Sequence, residues 1–255
     1  MIHEIINPLE SSRQFQFSRQ VALSDTDTKG RLRFDAAARY LQDVAAFDAL
    51  DADISAIGNW VLKQNNFEIL TFPTYGQKLT SKTYLTGSGR AWVERTSVIS
   101  DKDTGNELIA ARALWVLTNL KSGSPISVPE SVYSIYGPLA THHKVQIRNG
   151  KRPELPSEKK KLNWQIRFSD QDILAHLNNA TYLETVEEIF YLNDIEINFQ
   201  SQSTCQVTYR ESTACNDPAE VFYLLEQKQN EIKLEVYFAK DDLVRTDIQI
   251  RINAG

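Results

Sequence analysis

Ser169 to Glu188 reads SDQDILAHLNNATYLETVEE, and the rest of the chain is understood from this stretch outward. Between Asp170 and Asn179 it carries two carboxylates (Asp170, Asp172), one imidazole (His176) and an Asn178-Asn179 pair. Directly after them, Tyr182, Leu183, Val186, Ile189 and Phe190 recur at the spacing of a helix with one buried face, which predicts a helix over 180–192. Asn178 or Asn179 suits its N-cap, because an amide oxygen accepts from the free N–H groups of a first turn. A histidine, an acid and a helix N-terminus brought together can activate water and stabilise an oxyanion.

The pattern occurs twice. Ser24-Asp25-Thr26-Asp27 lies 145 residues before Ser169-Asp170-Gln171-Asp172, and Tyr40-Leu41 lies 142 before Tyr182-Leu183. In the first half the sequence predicts a strand at 15–23 and a helix from Asp35, its N-cap, to Leu50. Strands follow at 60–70, 77–85, 91–100 and 108–119, with breaks at Phe72–Gly76, Gly87–Gly89 and Asp101–Gly105. The second half predicts a strand at 164–168, the helix, and strands at 203–211, 219–227, 232–239 and 244–252. Between the halves, residues 121–161 hold five of the eight prolines and read as a connection with a short helix near 130–136. A tandem repeat of this size means two copies of one fold, packed as a pseudo-dimer. The expected class is α+β, a tandem hotdog: two curved antiparallel sheets, each wrapped around a long helix. Its parts are an N-terminal domain at 13–125, a basic linker at 126–161 and a C-terminal domain at 162–253. Such a chain works as a monomer that is its own pseudo-dimer, or as a homodimer.

With 42% apolar and 24% charged residues in 255, the composition is that of a soluble globular protein. A net charge of −5 argues against nucleic acid as a partner. Cys205 and Cys215 show no metal spacing and read as reduced thiols, neither placed as a nucleophile. The N-terminus MIHEIINPLESSRQ lacks the basic start and apolar core of a signal peptide, and no window of about 18 apolar residues occurs. The expectation is a cytoplasmic protein without membrane contact. The Asp170/Asp172 pair has no further ligands at metal spacing, so no metal and no cofactor is expected.

The run Asp170 to Leu183 has the form DxDxxxHxNNxxYL and resembles the signature of hotdog thioesterases acting on acyl-CoA or acyl carrier protein (ACP). Four further segments resemble the double-domain acyl-ACP thioesterases of plastids and bacteria. They are Trp60-Val61-Leu62, Phe72-Pro73-Thr74-Tyr75-Gly76, the turn Asp101–Gly105, and Ala113-Leu114-Trp115-Val116-Leu117-Thr118-Asn119. Their order covers about residues 15–250. The resemblance implies hydrolysis of fatty acyl-ACP to free fatty acid and ACP. Carried over by position, Asp172 and His176 match the family's reacting residues, while Leu174 stands where the family has Asn. The family's Glu ends a Tyr-Arg-Arg-Glu run, and here the run is Tyr209-Arg210-Glu211-Ser212, so either Glu211 or Ser212 takes that place. Two other readings remain open: an acyl-CoA hotdog thioesterase, and a degenerate hotdog that binds acyl chains without cleaving them.

A thioester needs a positioned water, a base and a holder for the oxyanion. Histidine titrates near neutrality, so His176 is expected as the base with Asp172 orienting its ring. Asn178 is expected on the thioester carbonyl or the water, and the N–H groups near 179–181 on the developing charge. The catalytic set is thus Asp172, His176, Asn178 and Glu211. Asn179, Trp60, Trp115 and Ser212 are expected to contact substrate, with Phe67 and Trp92 as further pocket candidates. In the first copy Lys29-Gly30-Arg31 replaces the histidine segment, leaving one site per chain. Seven Lys or Arg against two Glu between 141 and 161 make a basic connector. Arg152, Lys159, Lys160 and Lys161 are the residues expected to dock the acidic carrier protein.

Overall fold

Two antiparallel sheets, one from each half of the chain, are joined edge to edge into one. The computed structural model describes residues 7–144 and 151–253. In the first half β1 (Phe15–Gln20) precedes α1 (Phe34–Asp51), and β2 (Asn59–Ile69), β3 (Lys78–Ser88), β4 (Trp92–Asp101) and β5 (Glu107–Thr118) follow. The short α2 (Glu130–Tyr136) and β6 (His143–Lys144) close it. The second half begins with β7 (Lys160–Leu162). A 3-10 turn at Thr181–Leu183 then leads into α3 (Glu184–Leu192), followed by β8 (Gln202–Tyr209), β9 (Glu220–Lys228), β10 (Glu231–Lys240) and β11 (Leu243–Asn253). The strand order is β1-β3-β4-β5-β2-β8-β11-β10-β9-β7, with β6 beside β3. The seam is the antiparallel pair β2–β8, from Gln64 opposite Thr208 to Ile69 opposite Ser203. This is the tandem hotdog architecture, with the two expected sheets fused at one edge.

Alternation makes the strands. Along β8 the odd positions Ser203, Cys205, Val207 and Tyr209 are buried while Gln202 and Gln206 face out, the period of a sheet with one covered face. The covering elements are the helices. α1 buries Ala37, Ala38, Leu41, Val44 and Ala45, and α3 buries Val186, Ile189 and Phe190. Phe34 joins the halves, its ring 5.5 Å from Phe72 and 6.3 Å from Phe190. Burying each such ring is worth about 1.5–3 kcal/mol.

Four local expectations change. Residues 164–168 form no strand; Trp164 and Ile166 pack on the core, but the edge of β9 is already paired with β7. α1 is capped not by Asp35 but by Glu187 of α3, whose Oε1 accepts the Phe34 N–H at 2.8 Å. Asp35 lies in the first turn and holds Arg33 and Arg39. The second helix keeps its expected bounds, but its first turn, Thr181–Leu183, is 3-10 and only the nine residues Glu184–Leu192 are α-helical. The stretch 126–161 is shared rather than free: α2 packs its Val132 and Tyr136 on the first half, and β7 extends the second half's sheet. Arg148 of the basic run lies outside the described residues. Among the described residues no helix is long and apolar enough to cross a membrane.

Candidate functional site

The repeated sequence folds into repeated geometry. A 3-10 turn at Leu23–Asp25 recurs at Phe168–Asp170. Ala22 N–H donates to Asp25 Oδ2, and Arg167 N–H donates to Asp170 Oδ2. The bridge Thr26–Leu32 recurs as Gln171–Leu177. Asp27 N–H donates to the Arg31 carbonyl as Asp172 N–H donates to that of His176, each at 2.8 Å. Gly30 and Ala175 take the left-handed conformation at the same place, with φ of 84° and 57°. Arg31 is therefore the counterpart of His176.

The two copies of this turn meet different surroundings. Arg31 is buried, holding Asp27 at 2.9 Å and reaching across to Glu187 at 2.6 Å, so the first turn is sealed against α3. Burial raises the Glu187 pKa and the Arg31 charge offsets part of that rise. The second turn instead borders open space. Asp172, Ile173 and Leu174 line a cavity of about 380 Å³ whose other walls all come from the first half. Ala46, Ala49 and Leu50 of α1, with Ile54, Trp60, Leu85, Val93 and Trp115, make it mainly apolar. Ile173 is fully exposed and Leu174 half so at its mouth. A smaller cavity of about 20 Å³ adjoins it. Gln42, Ala45, Arg95 and Trp115 belong to both walls, and Asn179, Ala180 and Tyr209 line the smaller one from the second half.

The expected site residues divide as follows. Asp172 reaches the large cavity, one carboxylate oxygen accepting Leu174 N–H at 2.8 Å. His176 is exposed, lines neither cavity and makes no side-chain hydrogen bond with Asp172. Asn178 turns inward on its own backbone: its Oδ1 accepts Ala180 N–H at 2.9 Å and its carbonyl accepts Thr181 N–H at 3.0 Å. Two of the three N–H groups expected to hold an oxyanion are thus already used. Asn179 lines the small cavity, and its carbonyl accepts the Tyr209 hydroxyl at 2.7 Å. Burial raises the Tyr209 pKa well above its ordinary value, so the phenol stays a donor.

Glu211 follows the end of β8 and pairs with Arg152 at 2.7 Å, outside both cavities, and Ser212 is exposed beside it. Trp60 and Trp115 line the large cavity; Phe67 is in the core and Trp92 lines neither cavity. Of the basic residues, Lys161 pairs with Glu220 at 2.5 Å, and the Lys159 and Lys160 ammonium groups lie over the rings of Phe222 and Tyr223. Gln42, Asn65, Arg95 and Tyr209 were not singled out from sequence. Gln42 did leave a signal, a polar residue among Ala38, Leu41 and Ala45 on the buried face of α1.

Models of the N-terminal and C-terminal domains of acyl-ACP thioesterases match residues 12–136 and 153–253. A chloroplastic acyl-(acyl-carrier-protein) hydrolase of Cuphea viscosissima is 26% identical over 162 residues, which is 61% of this chain and 38% of that protein. The chain thus aligns with about two fifths of this plant relative's length. A candidate oleoyl thioesterase structure from Lactobacillus plantarum superposes with a TM-score of 0.79 over 96% of both chains at 16% identity. An acyl-ACP thioesterase from Bacteroides thetaiotaomicron gives 0.69 over 94% of this chain and 98% of that one at 19% identity. At these identities the structural likeness speaks for the fold.

Proposed function

The chain belongs to the acyl-ACP thioesterase family, and on that premise we propose that it hydrolyses fatty acyl-ACP to free fatty acid and ACP. The observation that carries this reading is the apolar cavity of about 380 Å³ in the first half, bordered at its mouth by Asp172, Ile173 and Leu174 of the second. An acyl chain fits its Trp60, Leu85, Val93 and Trp115 walls, and its thioester then lies beside a carboxylate. Asp172 is the base of this reading, because it reaches the cavity and His176 does not. Its carboxylate takes the proton of the attacking water and returns it to the leaving thiol. His176, exposed on the same turn, lies outside the reacting set. The carrier protein docks on the basic face of 151–161, where the Lys160 side is exposed on the sheet edge.

Asp172→Asn tests the assignment. It should lower kcat for acyl-ACP by about 10²–10⁴-fold, the worth of a positioned general base, while His176→Ala lowers it far less. The reverse order would return the base to His176.

A second reading is favoured by Leu174, an apolar side chain at the mouth where the family has an amide. It is an acyl-binding protein that does not cleave. Incubation with acyl-ACP followed by assay for free fatty acid separates the two: the binder retains intact thioester.

A further inference from the structure

The small cavity between the two halves holds polar side chains that nothing satisfies. Of the polar residues lining it, three have their groups engaged: Arg95 donates to Asp48, Thr83 and Tyr136, Ser97 pairs with Thr83, and Tyr209 donates to Asn179. Three others do not. Gln42 Oε1, Asn65 Oδ1 and Trp115 Nε1 are buried without a hydrogen-bond partner. They converge from three elements, α1, β2 and β5, on one space of about 20 Å³. A buried polar atom left unpaired costs about 1–3 kcal/mol, so three around one cavity call for a common partner.

One water molecule answers the chemistry of this trio. It donates one proton to each carbonyl oxygen, Gln42 Oε1 and Asn65 Oδ1, and accepts the indole N–H of Trp115. Three hydrogen bonds is the usual number for a buried water, and a cavity above about 10–15 Å³ holds one. The remaining walls are apolar, Ala38, Leu41, Ala45, Leu62, Ala111, Ala113 and Ala180, except for Asn179, which adds one further polar side chain from the second half.

We propose that Gln42, Asn65 and Trp115 form a water site and that this water is the hydrolytic nucleophile. The inference rests on the thioesterase reading above and adds the group that the Leu174 position lacks, supplied from the other half. The site adjoins the acyl cavity through Gln42, Ala45, Arg95 and Trp115, the walls common to both, so the water sits across a shared wall from the space given to the acyl thioester. At reaction the water keeps its hydrogen bond to Gln42 Oε1, which lines both cavities, and turns its other O–H from Asn65 Oδ1 toward Asp172 on the large cavity. Its oxygen bonds to the carbonyl carbon, that proton passes to Asp172, the C–S bond breaks, and the sulfur leaves as thiol with the proton returned by Asp172. Gln42 and Asn65 bind and orient the water and take no proton.

Three measurements test the proposal. A high-resolution crystal structure of the native chain should hold a water on all three atoms, and an empty cavity overturns the site. Gln42→Leu and Asn65→Leu should each lower kcat by about 10²-fold, the cost of a misplaced reactant, with KM for acyl-ACP unchanged. With hydroxylamine added, the same variants should raise the ratio of hydroxamate to free acid by the same factor, because the added amine does not need the water site. A merely structural role leaves that ratio at the native value, and unchanged kcat and ratio overturn the nucleophile assignment. Native chain with water in place but no activity on any acyl thioester would refute the thioesterase reading and the nucleophile role while leaving the site standing.

Discussion

Arg31 Nη2 lies 2.6 Å from Glu187 Oε2, one residue from the turn of the first half and the other from the helix of the second. Arg31 occupies the place His176 holds in the other copy, and Glu187 also caps α1 through Phe34 N–H. The pair thus does two things. It closes the site that the first turn would otherwise form, and it fixes the starts of the two helices against each other.

Removing one partner leaves the other buried without its counter-charge. Arg31→Ala or Glu187→Ala should destabilise the chain by about 3–5 kcal/mol in urea unfolding, whereas a surface pair is worth about 0–1. Losses below about 1 kcal/mol for both would show that the clasp is not structural.

Ala175 holds φ of 57° in the turn that carries Asp172 and His176, where Gly30 serves the first copy. A non-glycine residue in that conformation costs of order 1–3 kcal/mol, partly offset by glycine's greater freedom in the unfolded chain. Ala175→Gly should therefore raise stability by about 1 kcal/mol, read as a higher melting temperature. A lower one would mean that the methyl group packs usefully.

Ala46 and Ala49 of α1 border the large cavity. Adding bulk there takes volume from the acyl chain. On the proposed function, Ala49→Phe should shift the released fatty acids toward shorter chains in a mixed acyl-ACP assay, and an unchanged product profile would place the chain elsewhere.

Asp217 accepts from Arg245 at 2.7 Å and from Lys240, in that order of effect, which depresses its pKa to about 2 from 3.8. A depressed carboxyl contributes stability that is present above its unfolded pKa and lost as pH falls through the folded one. Acid unfolding followed between about pH 4 and pH 2 should be less steep in Asp217→Asn than in the native chain. Identical slopes would show that these partners do not hold the carboxylate in solution.

Most of the fold was legible because burial writes a period into the sequence. The strands from 59 to 118 and from 202 to 253 alternate, α1 and α3 carry apolar stripes, and the doubled Asp-x-Asp turn announced the repeat. What was not legible depends on contacts between the halves. Glu187 caps a helix 153 residues away, so Asp35 looked like the local choice. Trp164 and Ile166 alternate like a strand, yet the edge of β9 is taken by β7 and both side chains pack on the core instead. The site divides in the same way. Asp172 and the tryptophans Trp60 and Trp115 were readable from motif and residue type. Gln42 and Asn65 were not, because each belongs to an ordinary element of the first half and acquires a site only when the second half packs against it. His176 shows the converse: the motif marks the turn, but on that turn Asp172, Ile173 and Leu174 meet the cavity while His176 is exposed.

The central claim is that the cavity between the halves receives an acyl chain from a carrier protein and that the chain is released as free acid. The direct measurement is hydrolysis of a panel of acyl-ACPs from short to long, beside the matching acyl-CoAs, with free fatty acid as the readout. The account predicts release from acyl-ACP at one preferred range of lengths, with acyl-CoA turned over more slowly at equal concentration. Intact thioester across the whole panel would contradict it.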